Sequence, residues 1–244
     1  LGCEVHVFTN GYSNSIKKIS IGRGKVYVHQ LKCEIDESIA SEIIKKRLKY
    51  VCFENRVLNE FIKEQFNKQF DIIHTHGWLT TSAFRLKYLC DLKWVHTVHA
   101  LERNRFNSMS DEAKKLQCVT SWVEDTIKYA DKIITVSNSL RKEVIKEFDV
   151  EKDKIIVIPN GINLDVFKPI KKYNLDILSV LRFSKEKGVE LLPNIINSVL
   201  SKNKDVRFTL VAQETKVPSL MKIQKYLRQL EKKYNGRFEW ISKS

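Results

Sequence analysis

Turn residues are scarce in this chain: eight glycines and four prolines among 244 residues. No glycine or proline falls between Gly24 and Gly77, or between Gly77 and Pro159. Such long unpunctuated stretches favour helices joined to buried strands. No uninterrupted apolar run approaches the roughly 20 residues that cross a bilayer, and the first residues lack a basic segment followed by an apolar one. A soluble, non-secreted, cytoplasmic chain is expected. The five cysteines, Cys3, Cys33, Cys52, Cys90 and Cys118, include no CxxC pair and make an odd total, which fits reduced thiols in a cytosol rather than a disulfide framework. Internal repeats and low-complexity segments are also missing. What is present is a hydrophobic fraction of 43%, enough to exclude disorder as the main state, and a formal charge of +14.

That charge is unevenly spread. Cut at Pro169, the first part holds 27 basic and 22 acidic residues, and the second holds 16 and 7. The smaller part therefore carries most of the net charge, as a site for a phosphorylated ligand would need; solvated lysines on helix faces give the same count.

Strands are expected at Val5–Thr9 and Val26–Val28, where β-branched and aromatic residues recur between turn residues. From Asp36 to Phe70, apolar residues recur at near-helical spacing and read as one long helix or two short ones. Further strands are expected at Asp71–His74, Trp94–Val98, Lys132–Val136 and Ile155–Ile158. Leu116, Val119, Val123, Ile127 and Ala130 form one helical stripe, expected over Asp111–Tyr129. Ser137 or Ser139 can cap a helix running to Phe148. Pro159-Asn160-Gly161 ends this first run. The alternation then restarts with strand Ile177–Leu181, a helix from Gly188 to Ser201, strand Val206–Val211, a helix from Pro218 with Leu220, Ile223, Leu227, Leu230 and Tyr234 as its stripe, and strand Phe238–Ile241. Alternating strands and helices imply parallel sheets covered on both faces, whose ligands gather at the carboxyl ends of strands.

Four such ends carry polar clusters: His74-Thr75-His76-Gly77, His96-Thr97-Val98-His99, Ser137-Asn138-Ser139, and Arg182 through Lys187. The runs Trp94 to Glu102, Ser121 to Glu124, Ala130 to Ser137, Val157 to Ile162 and Leu178 to Gly188, in that order, resemble glycosyltransferase family 4, with its bacterial glycogen-synthase-type members the most similar. The resemblance implies a GT-B fold, two Rossmann-like domains whose parallel sheets face a cleft, with residues 1–169 as the acceptor-side domain and 170–244 as the start of the nucleotide-sugar-binding domain. It also implies retaining transfer of a hexose, glucose first, from a nucleoside diphosphate sugar to a glucan or other glycan.

The chemistry needs these residue types. As the glycosidic bond to phosphate breaks, negative charge grows on the leaving diphosphate; a guanidinium can bind two of its oxygens, and an ammonium supplies a movable positive charge. Arg182 and Lys187 fit those roles. Gly188, opening a helix, would add backbone donors, and Ser137 matches the family serine of the donor site, where it also serves as an N-cap. By resemblance His99 is the catalytic histidine at the donor sugar, His76 lines the pocket, and Glu102 and Arg105 contact acceptor or sugar. The resemblance implies that no metal or other cofactor is required, since the cations take the metal's place; His74, His76, His96 and His99 lack the carboxylate or thiolate that would complete a zinc site.

Two departures from the family pattern stand out. Leu181 replaces the glycine that usually precedes the donor-loop arginine, which alters the expected backbone approach to the phosphates. The chain opens at what resembles the family's second strand and stops before the family's paired glutamates, so it is read as a fragment truncated at both ends and inactive by itself. A degenerate, non-catalytic fragment is the alternative, and a basic nucleic-acid-binding module is less favoured because no recognition motif interleaves aromatics with the basic residues. Without a spanning segment, peripheral membrane contact is the membrane association left open.

Overall fold

The computed structural model describes residues 2–36, 38–39, 41–77, 81–104, 114, 123–169 and 175–242. The chain divides into two compact units, Leu1–Gly161 and Ile162–Ser244, joined where Pro159-Asn160-Gly161 interrupts the secondary structure.

The first unit holds two sheets. In one, β1 (Glu4–Gly11) pairs in parallel with β3 (Gly24–Lys32), and β2 (Ser15–Ile21) lies antiparallel on the other side of β3. Strand β2 was not expected from the sequence. Its residues, SIKKISI, are all exposed and show no apolar-polar alternation; the register is fixed by the Gly22-Arg23 turn, which brings Ile21 opposite Gly24. The second sheet is parallel throughout, in the order β4 (Ile72–His76), β5 (Lys93–Val98), β6 (Lys132–Thr135), β7 (Ile155–Val157).

Helix α1 (Glu42–Lys68) is one continuous helix, capped by Ser41 Oγ, which accepts from Ile44 N–H at 3.3 Å. Its apolar face, with Leu58, Phe61 and Ile62, packs into the core around Ile73, Leu86, Trp94, Val98 and Ile133, and Phe8 of β1 reaches the same core. Helix α2 (Thr81–Cys90) is capped from outside: Glu54 Oε2 on α1 accepts from Thr81 Oγ1 at 2.7 Å and from the Ser82 N–H, placing a carboxylate where the helix dipole favours one. Asp131 ties β5 to β6 twice, its carboxylate accepting the Trp94 N–H and its own N–H donating to the Trp94 carbonyl, each at 2.8 Å. Of the helix expected over Asp111–Tyr129, residues 105–113 and 115–122 lie outside the described residues; Val123–Asp125 are helical and Thr126–Tyr129 tighten into a 3-10 turn. Helix α3 (Asn138–Phe148) takes Ser137 as its cap, Oγ accepting from Leu140 N–H at 3.2 Å.

The second unit is a three-stranded parallel sheet, β8 (Asp176–Val180), β9 (Arg207–Val211) and β10 (Phe238–Ile241), with β9 central, and two helices, α4 (Leu192–Lys202) and α5 (Pro218–Lys233). Leu220, Leu227, Leu230 and Tyr234 are buried along α5, as the stripe requires, against Leu210, Trp240 and Phe183. Helix α4 begins at Leu192, not at Gly188. Lys185–Lys187 form a 3-10 turn, Gly188 ends it in the left-handed region at φ 68°, and its N–H donates to the Lys185 carbonyl at 2.9 Å. That backbone donor is used inside the turn, so the expected helix entry at Gly188 is corrected.

Among the described residues no helix is long and apolar enough to cross a membrane, and Cys3, Cys33, Cys52 and Cys90 are free thiols.

Candidate functional site

Parallel pairing sets His76 beside Thr97 and Thr75 beside His96 at the carboxyl ends of β4 and β5. Alternation along each strand then sorts the side chains onto two faces. On one face His74 Nε2 meets Thr97 Oγ1 at 2.8 Å and His76 Nδ1 meets His99 Nε2 at 3.2 Å, while the His74 and His76 rings lie 4.4 Å apart and the His76 and His99 rings stack at 5.5 Å. His74, His76 and His99 are exposed at the strand ends. Gly77, at φ 70°, donates its N–H to the Thr97 carbonyl at 3.0 Å.

On the other face, Trp94 Nε1–H donates to Thr75 Oγ1 at 2.8 Å, and Thr75 lies 2.8 Å from His96 Nδ1. His96 Nε2, the other ring nitrogen, has no partner among the described residues. Burial pushes His96 down to about 3, with repulsion from His76, His74 and His99 adding to it. His96 is therefore a neutral structural support beneath the exposed cluster. His74 and His76 are also shifted down, by burial first and then by the neighbouring imidazole, so the exposed pair favours hydrogen bonding over positive charge at neutral pH.

The segment after β5 is held by two devices. Leu101 is inserted in the core at 2% exposure. Glu124, 1% exposed, then clamps the next two residues: Oε1 accepts the Glu102 N–H at 2.5 Å, and Oε2 accepts the Arg103 N–H at 3.3 Å and Arg103 Nε at 3.2 Å. Arg103 also donates to Asp125 at 2.9 Å and lies over the Phe148 ring at 4.3 Å, while Asn104 Nδ2 donates to Glu143 at 2.7 Å. Burial pushes the Glu124 carboxyl up, against the pull of the two N–H groups and the guanidinium. Every one of these contacts is a donor, and together they offset only part of the cost of burying the charge.

The residues expected from sequence thus fall as follows. His76 and His99 are brought together, and Glu102 is half-buried with its N–H in the Glu124 clamp. Arg105 lies outside the described residues. Ser137 is exposed, but its hydroxyl is occupied as the α3 cap. In the second unit, Arg182, 63% exposed, pairs with Glu186, and Lys187 is exposed with no ion-pair partner among the described residues. Phe183, 4% exposed and stacked on Trp240 at 5.3 Å, anchors the loop between them. Leu181 packs on the same core, which holds the backbone there toward the interior. Sequence reasoning gave no role to Arg103 or Glu124. The available signal was the acidic pair Glu124-Asp125 set beside the apolar stripe of Val123, Ile127 and Ala130.

Residues 1–166 match the family Glycosyltransferase Family 4. The chain belongs to that family. An uncharacterized glycosyltransferase of Methanocaldococcus jannaschii is 31% identical over 153 residues, covering 55% of this chain and 38% of the relative. A D-inositol 3-phosphate glycosyltransferase of Corynebacterium aurimucosum is 23% identical over 232 residues, covering 86% of this chain and 53% of the relative. The chain therefore spans about half, or less, of the curated relatives it matches. Among solved structures, an Escherichia coli protein described as trehalose-6-phosphate bound with UDP-2-fluoro glucose superposes with a TM-score of 0.65 at 13% identity, over 100% of this chain and 68% of that one. At that identity the likeness shows the fold alone, which is GT-B.

Proposed function

We propose that this chain is the acceptor-side unit and the beginning of the donor-side unit of a retaining glycosyltransferase that moves a hexose, glucose first, from a nucleoside diphosphate sugar to a glycan. The observation that carries this reading is the exposed His76–His99 pair at the ends of β4 and β5 in a family 4 chain. His99 would meet the donor sugar and stabilise its oxocarbenium-like transition state; His76, by its hydrogen bond, sets the orientation of the His99 ring. As the sugar–phosphate bond breaks, the leaving diphosphate takes the electron pair, and Arg182 and Lys187 would neutralise it without a metal. To do so Arg182 must exchange Glu186 for phosphate. Gly188 permits the turn that carries both cations, and Ser137, Glu102 and Arg105 complete the surroundings of donor and acceptor.

Glucose is favoured because the Escherichia coli neighbour holds UDP-2-fluoro glucose. The reading places the reaction in the cytosol, with peripheral contact to membrane-borne acceptors compatible with the +14 charge. The test is a donor panel on the chain extended at both ends to the length of its relatives, offered a glucan or inositol 3-phosphate as acceptor, with release of nucleoside diphosphate as the readout. Transfer from one nucleoside diphosphate hexose with retained anomeric configuration supports the reading. Release of nucleoside diphosphate from none of the donors, by a folded protein, overturns it.

A further inference from the structure

A second histidine cluster lies on another sheet. His6 of β1 and His29 of β3 are each 4% exposed at the side chain or residue level, and His6 Nδ1 is 2.8 Å from His29 Nε2. Glu64 of α1 faces them, and one ligand atom from each of the three lies within 4.8 Å of the others. Among the described residues this is the one group of three such side chains placed so closely. We propose that His6, His29 and Glu64 bind one divalent transition metal ion, zinc first, that staples β1 and β3 to α1.

The surroundings are built as a ligand support. His6 Nε2 is 3.1 Å from Glu4 Oε1; the carboxylate accepts the hydrogen bond of Nε2–H and leaves the Nδ1 lone pair facing His29, as carboxylates behind metal-bound histidines do. Glu4 is itself held by Lys68 at 3.3 Å. Aromatic rings fix both imidazole planes: Tyr27 stacks on His6 at 4.7 Å, Phe70 meets it edge-on at 4.9 Å, and Phe8 stacks on His29 at 4.6 Å. Glu60 and Glu64, one turn apart on α1, both bring negative charge to His29, and Glu60 is engaged by Lys63 at 2.9 Å. Two imidazoles and one carboxylate are a donor set that suits zinc. Zinc–ligand bonds of about 2.0–2.1 Å in tetrahedral geometry set donors roughly 3.3 Å apart. The histidine pair must open by about half an ångström, and the Glu64 carboxylate, on a half-buried helical side chain, must close in. Water fills the fourth position. The site lies apart from His74, His76, His96 and His99, whose hydrogen bonds are made to threonines and to one another.

Because the chain has only six histidines, four of them at the other cluster, the test must separate the two. Chain freed of metal with a chelator is titrated with Zn2+ by calorimetry, and with Co2+, whose ligand-field absorption reports coordination geometry. One equivalent bound with a Kd below about 1 µM, with a raised Tm, is expected. His29→Gln and Glu64→Gln should each weaken binding at least tenfold, and Glu4→Gln by about 10–100-fold as a positioning residue. His76→Gln should leave binding unchanged. Absence of binding in the micromolar range, or binding lost in His76→Gln and kept in His29→Gln, overturns the site. If His29→Gln fails to fold, Glu64→Gln decides alone: its substitution removes a half-buried carboxylate and leaves the strands intact, so unaltered binding there refutes the proposal.

Discussion

Removing one oxygen's charge at Glu124 tests whether the segment that follows His99 is clamped as described. In Glu124→Gln the amide oxygen can still accept one N–H, but the new NH2 group faces a donor instead of accepting from it, and Arg103 loses its most buried anion. A charge-assisted hydrogen bond is worth about 1.5–3 kcal/mol, and breaking a fully buried ion pair costs about 3–5 kcal/mol. Arg103, 19% exposed at its side chain, keeps Asp125 at 2.9 Å, which lowers the second figure. The expected loss is about 2–4 kcal/mol, or roughly 5–15 °C in Tm for a unit of this size. Burial raises the folded-state pKa of Glu124 above its unfolded value, so folding favours the protonated form. The stability this carboxyl carries is full below the unfolded pKa and falls as pH rises through the interval up to the folded one. Urea unfolding of the parent, Glu124→Gln, Arg103→Ala and the double variant gives the coupling directly, expected at about 1–2 kcal/mol for residues in contact. If Glu124→Gln stays within about 0.5 kcal/mol of the parent and the cycle closes without coupling, the clamp does not hold this segment.

Three further outcomes follow from the geometry. In the full-length enzyme, Arg182→Ala and Lys187→Ala should each weaken nucleoside diphosphate binding by roughly 10–100-fold in calorimetry, while Lys222→Ala and Lys225→Ala on α5 leave it unaltered; Glu186→Gln, which frees Arg182 from a solvent-exposed pair, should tighten binding by no more than about fivefold. Equal losses at all four lysine and arginine positions would mean that the ligand senses only overall charge. His99→Ala should lower kcat by roughly 100-fold or more with donor affinity largely kept, and turnover within a few-fold of the parent would reassign His99 to structure. His96, depressed to about 3 from 6.5, is favoured neutral by folding; its contribution is full above the unfolded pKa and is lost as pH falls toward 3, by at most about 1.4 kcal/mol per pH unit. NMR should show one histidine ring that does not titrate between pH 7 and about pH 4, and a ring titrating normally in every histidine would refute the buried assignment.

What could be read from the sequence depended on how much of the signal was local. The strands β4, β5, β6 and β7 and the stripe of α5 are legible because a buried parallel strand is a short apolar run and a helix repeats its apolar face within four residues. Strand β2 is not: with all seven residues exposed, nothing in SIKKISI distinguishes it from a loop, and only the Gly22 turn and the register with β3 make it a strand. The same limit governs the sites. His76 and His99 stand at the ends of legible strands, within runs that resemble the family's, and the pairing of β4 with β5 brings them together. Glu124 and Arg103 stand 21 positions apart, and His6, His29 and Glu64 come from three elements, so their pairing appears only once β1 and β3 are in register and α1 lies over them. His29 sits in a strand whose other visible residues, Val26, Tyr27 and Val28, read simply as core, and Glu64 sits in a helix rich in charge. A histidine or carboxylate on an apolar face carries no address; the fold supplies it.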